Sequence, residues 1–364
     1  MLYFIVLTQV CNLRCKYCGN TPDPTIAPVR LNYNLDTLKE FIKKDNAPHI
    51  CFYGGEPLLE IPLMEKIMDE IHAERYILQT NGLLLSKLKT EYLLRFDTIL
   101  VSIDGRKEVT DYYRGKGVYE KIIKNVRDIR RRGFKGDLIA RMAISGNSDV
   151  YLDVKHLVEL EDPHFDHVHW QLDVLWDYPP KQRYDDFERW VNESYNPGIK
   201  KLIKYWYENM ARKGIVLGIV PFLGIMKSLL YNERTELRCG AGINAFTITT
   251  AGEIIVCPVA PEFNFAKIGD IFSSDPKELP YKVTIGEPCI SCEYYHLCGG
   301  RCLFANKTKL WGEKGFREVC NTIKYLIDNL ICIKPKVEKL IEKGIINKEE
   351  FYYPPYNNST EVIP

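Results

Sequence analysis

Along the first two thirds of the chain, short runs rich in β-branched and aromatic residues alternate with longer stretches in which apolar residues return every three or four positions. The first pattern is that of a buried strand, the second that of a helix with one buried face. Strands are predicted at 2–8, 49–53, 76–80, 98–103, 138–144 and 168–174. Helices are predicted at about 35–44 behind an Asn34 cap, 62–73, 118–132, 151–160 and 184–212, the last broken at Asn196-Pro197-Gly198. Such alternation predicts parallel strands joined by helical crossovers, an α/β fold. Near residue 235 the texture turns to loops, with seven cysteines from Cys239 to Cys320 and a hairpin-like Ala251-Gly252 between two β runs. The expected division is therefore a first domain at 1–234, a cysteine-rich domain at 235–332 and a terminal helix and tail at 333–364. After Cys320 one amphipathic helix is predicted to run to about Lys343, and the Pro/Tyr/Asn-rich end from Tyr352 is expected to be mobile.

The 364 residues are 46% hydrophobic and 27% charged, enough apolar chain for a soluble protein with a sizeable core. Lysine plus arginine (49) nearly balance aspartate plus glutamate (48), so neither nucleic acid nor an anionic membrane is expected as a partner. Arg130-Arg131-Arg132 reads as a solvated helix face. No segment approaches the length of a membrane span, and the apolar run from Leu2 to Leu7 lacks the preceding basic region of a signal peptide. Twelve cysteines without an export signal point to metal ligation or catalysis rather than a disulfide framework, and the expected compartment is the cytoplasm.

Cys11-Asn12-Leu13-Arg14-Cys15-Lys16-Tyr17-Cys18 follows the first predicted strand, which puts it on the loop at a strand's carboxyl end, where parallel sheets place their chemistry. Three thiolates in eight residues can wrap one metal centre. A four-iron cluster takes four ligands, so three cysteines leave one iron open to a chelating ligand. Zinc with a distant fourth ligand is the alternative, although zinc sites favour paired Cys-x2-Cys arms over an x3-then-x2 spacing. Cys-x3-Cys-x2-Cys with an aromatic at Tyr17 resembles the signature of the radical S-adenosylmethionine (SAM) superfamily.

Further segments support the resemblance. Tyr53-Gly54-Gly55-Glu56-Pro57 closes the second strand and is similar to the family's Gly-Gly-Glu-Pro segment, whose backbone receives the SAM amino group; two glycines let the main chain approach a ligand. Gln79-Thr80-Asn81-Gly82 and Ser102-Ile103-Asp104-Gly105, ending the third and fourth strands, resemble segments lining the SAM site. Arg141, in the fifth, stands where related enzymes offer an arginine to the SAM carboxylate. Read without the family, these are turn residues and an ion-paired arginine. Over about residues 1–230 the resemblance implies a partial (β/α)6 TIM-like barrel. It implies roles in SAM binding for Tyr17, Gly54, Gly55, Glu56, Pro57, Thr80, Asn81, Ser102, Asp104 and Arg141.

The later cysteines run Cys239-x12-Gly252-x4-Cys257, then Cys289-x2-Cys292-x5-Cys298-x3-Cys302, then Cys320. One or two structural zincs would use such loops, but seven thiolates do not divide into two closed zinc sites. The order resembles the SPASM domain, which carries two auxiliary iron–sulfur clusters in peptide-modifying radical SAM enzymes. That resemblance implies one cluster on Cys289, Cys292, Cys298 and Cys320 and another on Cys239, Cys257 and Cys302, for three 4Fe–4S clusters in all. The fourth position of the second auxiliary cluster is open to substrate, filled by another side chain, or filled by Cys51 or Cys332; both of these are expected in the core, and the open site is preferred.

The resemblance further implies reductive cleavage of SAM to a 5′-deoxyadenosyl radical, with a reductant such as flavodoxin or ferredoxin as partner. Sulfatase-maturing relatives carry Asp after the cysteine matching Cys257, where this chain has Pro258-Val259; molybdopterin-type relatives end in glycines, where it has Thr360-Glu361-Val362-Ile363-Pro364. The expected substrate is therefore a ribosomal peptide or small protein, which is crosslinked, epimerised or oxidised. A haem- or quinone-type cofactor precursor is the alternative enzyme substrate, and a zinc-stabilised binding protein the non-enzyme alternative. The chain starts at its first strand, so a separate leader-binding protein or the barrel rim is expected to hold the peptide. His167, His169 and Asp173 share one face of the sixth strand at period two, as substrate contacts, a base or barrel packing.

Overall fold

The computed structural model describes residues 1–19, 22–174, 184–353 and 363–364. In chain order the first elements are β1 (Leu2–Thr8), α1 (Leu35–Ile42), β2 (His49–Gly54), α2 (Ile61–Glu70), β3 (Arg75–Thr80), α3 (Thr90–Leu93), β4 (Thr98–Ser102), α4 (Lys107–Arg114) and α5 (Val118–Arg131). Next come β5 (Asp137–Ile144), α6 (Val150–Val158), β6 (His167–Leu172), α7 (Phe187–Trp190), α8 (Asn196–Lys213) and α9 (Val220–Tyr231). The rest are β7 (Ala245–Ile248), β8 (Glu253–Ile255), β9 (Lys267–Asp270), α10 (Tyr295–Cys298), α11 (Leu303–Thr308) and α12 (Gly312–Glu342). All six predicted strands form.

Two compact units divide the chain. The first comprises Met1–Ile103, Asp111–Ile139 and Gly240–Thr284. Its strands neighbour one another in the order β4-β3-β2-β1-β7-β8-β9. β1 to β4 pair in parallel, and β1 also pairs in parallel with β7, Leu2 standing opposite both His49 and Ala245. Flanked on both sides, β1 is buried nearly throughout, with Tyr3, Ile5 and Leu7 fully enclosed. A continuous apolar run is what such a central parallel strand requires. β7, β8 and β9 are antiparallel, and the hairpin predicted at Ala251-Gly252 joins β7 to β8. Asn34 caps α1 as predicted, its side chain accepting from the Asp36 amide at 3.0 Å. On α5, Val118, Ile122, Val126 and Ile129 recur every three or four residues and are buried.

The second unit comprises Asp104–Thr110, Ala140–Cys239 and Ile285–Pro364. It holds most of β5 beside β6, α6 packed on α8, and the long α12 packed on α8 and α9. The break predicted at Asn196-Pro197-Gly198 does not occur, because a π-helical turn, Val191–Tyr195, carries α7 into α8. Pro197 follows closely on that π-helical turn. A Cβ on Gly198 would stand 2.6 Å from Val150 Cγ1, so this glycine permits close approach to α6 rather than ending a helix. α12 starts at Gly312, which places Cys320 inside it, earlier than predicted. Tyr353 and Ile363 are buried, contrary to the mobile end expected from Tyr352, while 354–362, including Thr360, Glu361 and Val362, lie outside the described residues. Among the described residues no helix is long and apolar enough to cross a membrane.

Candidate active site

In the first unit the loop after β1 carries Cys11 and Cys15, half-buried, and Cys18, exposed. The Cys18 amide donates to the Cys15 carbonyl at 3.0 Å, and the Lys16 amide to the Tyr113 carbonyl at 2.9 Å. Tyr17 packs against Tyr113 with centroids 5.4 Å apart, and the Arg114 guanidinium lies 5.5 Å from the Tyr17 ring. Two hydrogen bonds, a ring pair and a cation–π contact thus fasten this loop. Cys11 Sγ accepts from the Leu13 amide at 3.4 Å and from Asn81 Nδ2 at 3.7 Å. Burial pushes the Cys11 thiol up, and these two donors pull against it.

Gly54 and Gly55 do approach another chain segment, but it is the backbone leaving β1. A Cβ on Gly54 would lie 2.2 Å from the Thr8 carbonyl oxygen, and one on Gly55 would lie 2.3 Å from that of Val10. In that space the Gly55 amide donates to Thr8 and the Glu56 amide to Val10, at 2.8 and 2.9 Å. Glu56 is wholly buried. Its Oε1 accepts from the Thr80 hydroxyl at 2.7 Å and the Leu58 amide at 3.0 Å, and its Oε2 from the Asn81 amide at 2.8 Å. Burial holds the carboxyl up at about 7 against these donors. Pro57 opens the short 3-10 turn Pro57–Glu60. Asn81 then reaches back, its Nδ2 donating to Asn12 Oδ1 at 2.7 Å as well as to Cys11.

The ends of β1, β2 and β3 are therefore one hydrogen-bonded assembly containing Cys11, Gly54, Gly55, Glu56, Thr80 and Asn81. Ser102 stands half-buried at the end of β4. Two residues of this assembly escaped sequence reading. Asn12 lies inside the cysteine motif, and Asn125 donates to the Gly82 and Leu83 carbonyls at 2.9 Å each. The available signal for Asn125 was a polar residue within the apolar face of α5.

In the second unit Asp104 is wholly buried, accepts from the Ala143 amide at 3.0 Å and donates its own amide to Thr110 Oγ1 at 3.1 Å. Arg141, half-buried in β5, donates from Nη2 to Gln171 Oε1 at 2.6 Å. His167 lies edge-on to Tyr353 with centroids 5.1 Å apart, while His169 and Asp173 are buried, the latter just past the end of β6.

The same unit gathers Cys289, Cys292, Cys298 and Cys320. Burial first, then the thiolates of Cys320, Cys298 and Cys292, push Cys289 up to about 12. Burial likewise pushes Cys298 up to about 11 and raises Cys320. Four sulfurs that repel one another as anions form a donor set that a cationic centre would relieve. Among the described residues no group of three Cys, His, Asp or Glu side chains is placed to hold a single metal ion. Cys302 caps α11, its Sγ accepting from the Ala305 amide at 3.5 Å. Cys239 and Cys302 are half-buried in this unit, and Cys257 is half-buried in the first. Cys51 is fully buried in β2 as expected, but Cys332 is exposed. The buried stripe of α12 runs through Leu326, Ile327 and Leu330 and leaves position 332 facing outward.

Residues 5–158 match the Radical SAM superfamily. Over those residues the chain carries a radical SAM domain. It is 22% identical over 361 residues to the radical SAM cyclopropyl synthase TigE of Paramaledivibacter caminithermalis, spanning 90% of this chain and 73% of that one. It is 34% identical over 135 residues to the pre-heme d1 synthase of Dinoroseobacter shibae, about a third of each chain (35% and 33%). The structure of native anSMEcpe with bound AdoMet aligns with a TM-score of 0.71 over 93% of this chain and 100% of that one, at 18% identity. That likeness shows a shared fold, the expected partial (β/α)6 TIM-like barrel followed by a cysteine-rich, SPASM-like region.

Proposed function

We propose that the chain modifies a ribosomally synthesised peptide or small protein by hydrogen abstraction, using SAM and a cluster held by Cys11, Cys15 and Cys18. The observation that carries this reading is the bond from Asn81 to Cys11, which ties the cysteine loop to the Gly54-Gly55-Glu56 and Thr80-Asn81 segments. When bound, the cluster and SAM supply the electron and the carbon-centred radical. The protein's residues position them. Glu56 fixes Thr80 and Asn81, the glycines bring the 54–56 backbone against the cysteine loop, and Asp104 and Arg141 take the SAM-binding roles that the family resemblance implies.

Cys289, Cys292, Cys298 and Cys320 hold one auxiliary cluster on this reading, and Cys239, Cys257 and Cys302 a second with an open position. A flavodoxin or ferredoxin supplies electrons in the cytoplasm, and a separate protein or the barrel rim holds the peptide's leader. Support for a peptide comes from the fold shared with anSMEcpe, solved with bound AdoMet and Cp18Cys peptide at a TM-score of 0.68. The stretch similar to pre-heme d1 synthase favours the second reading, a tetrapyrrole-type precursor. Anaerobic co-expression with candidate peptides, read by mass spectrometry, separates the two. A mass change in a peptide is expected; a change in a small metabolite with none in any peptide overturns the peptide assignment.

A further inference from the structure

Asn306 lies on α11, outside every motif, and is 5% exposed. Its side chain is wrapped around the turn that presents Cys289. Oδ1 accepts from the Gly286 amide at 2.8 Å, and Nδ2 donates to the Gly286 carbonyl at 3.0 Å and the Glu287 carbonyl at 3.4 Å. The same nitrogen stands 3.5 Å from Cys289 Sγ. An amide nitrogen has two hydrogens, so three acceptors share them. The sulfur gains the larger part as its negative charge grows, because a donor binds an anionic acceptor more strongly than a carbonyl. A residue needed only to close the turn would finish its work at Gly286 and Glu287.

We propose that Asn306 is a positioning residue of the Cys289–Cys292–Cys298–Cys320 centre, which fixes Cys289 and, through its N–H···S bond, raises the reduction potential of the cluster bound there. The inference rests on the reading that these four cysteines hold a cluster. Hydrogen bonds to ligand sulfur withdraw electron density from it, which favours the reduced cluster and so a higher potential. A parallel exists in the first unit, where Asn81 directs its amide to Cys11.

The test is an anaerobic redox titration of the reconstituted full-length chain followed by electron paramagnetic resonance. The signal lost in Cys298→Ala identifies the centre. Asn306→Leu, close in size but without a donor, is expected to retain iron and move that midpoint to a more negative value, and Asn306→Gln to return it toward wild type. An unchanged midpoint in Asn306→Leu with full iron content overturns the inference. If Asn306→Leu loses iron, Asn306→Met, also uncharged and without a donor, carries the test, and a more negative midpoint supports the role whereas an unchanged one overturns it. Loss of iron in all three variants also overturns it, because the residue then only builds the loop. Cys298→Ala with undiminished iron and unaltered spectra instead removes the cluster assignment itself.

Discussion

The two cysteine groups differ in burial and in number. Cys11, Cys15 and Cys18 sit on a loop with Cys18 exposed, whereas Cys289 is 8% exposed and shares its surroundings with three other thiols. On the reading proposed above, this is the difference between a centre that must admit a ligand and one that must only pass electrons. Three ligands and an open approach leave an iron for SAM. Four ligands, of which Cys289 is buried and Cys292, Cys298 and Cys320 are half-buried, leave none. Each group also has its own asparagine, but Asn81 reaches a sulfur from a neighbouring strand end, while Asn306 encircles the turn carrying its cysteine.

The largest effect that would sharpen this contrast is at Cys15. Cys15→Ala is expected to bring SAM cleavage with dithionite, measured as 5′-deoxyadenosine, below detection; undiminished cleavage would remove the loop from the chemistry. Next comes Gly55→Ala, whose new methyl group meets the Val10 carbonyl oxygen at 2.3 Å. A loss of about 2 kcal/mol of stability in urea denaturation is expected, the scale of a core steric defect. A midpoint equal to wild type would mean that the β1 and β2 ends do not hold each other.

A smaller effect concerns pH. The Glu56 carboxyl rises from its ordinary 4.5 to about 7 in the folded chain, so between those values the folded state binds more protons than the unfolded one. Its contribution to stability is fully present below 4.5 and is lost as pH rises through 7. Glu56→Gln should flatten this part of the cluster-free protein's urea midpoint against pH, and an identical slope in both proteins contradicts the burial argument. The smallest effect is expected at Cys332, which lies outside both groups: Cys332→Ser should leave iron content and spectra unchanged, whereas lost iron would make it a ligand.

Much of the first unit was legible because its signals are local. β1 to β4 are β-branched and apolar runs, and the residues ending them bear the turns and polar groups of the proposed site. What escaped depends on contacts between distant parts of the chain. α9 is buried along most of its length, from Val220 to Met226, so it offers no amphipathic period by which to recognise it. Asn196-Pro197-Gly198 reads as a break only if Val150 is not known to press on Gly198. Cys332 was expected in the core because its apolar neighbours are close in sequence, yet the helical period turns it outward. Asn125 and Asn306 look like ordinary polar positions until their carbonyl and sulfur partners are seen. Gly54 and Gly55 were recognised, but their close approach to β1's own exit depends on a contact between distant parts of the chain.

The most direct test of the division of labour is 5′-deoxyadenosine formation in Cys298→Ala, with iron counted in the same sample. The account predicts a loss of about four irons, one cluster's worth, with SAM cleavage persisting within a few-fold of wild type while product formation is lost. Cleavage that collapses to the Cys15→Ala level, with the amino-terminal cluster's spectrum intact, would contradict it.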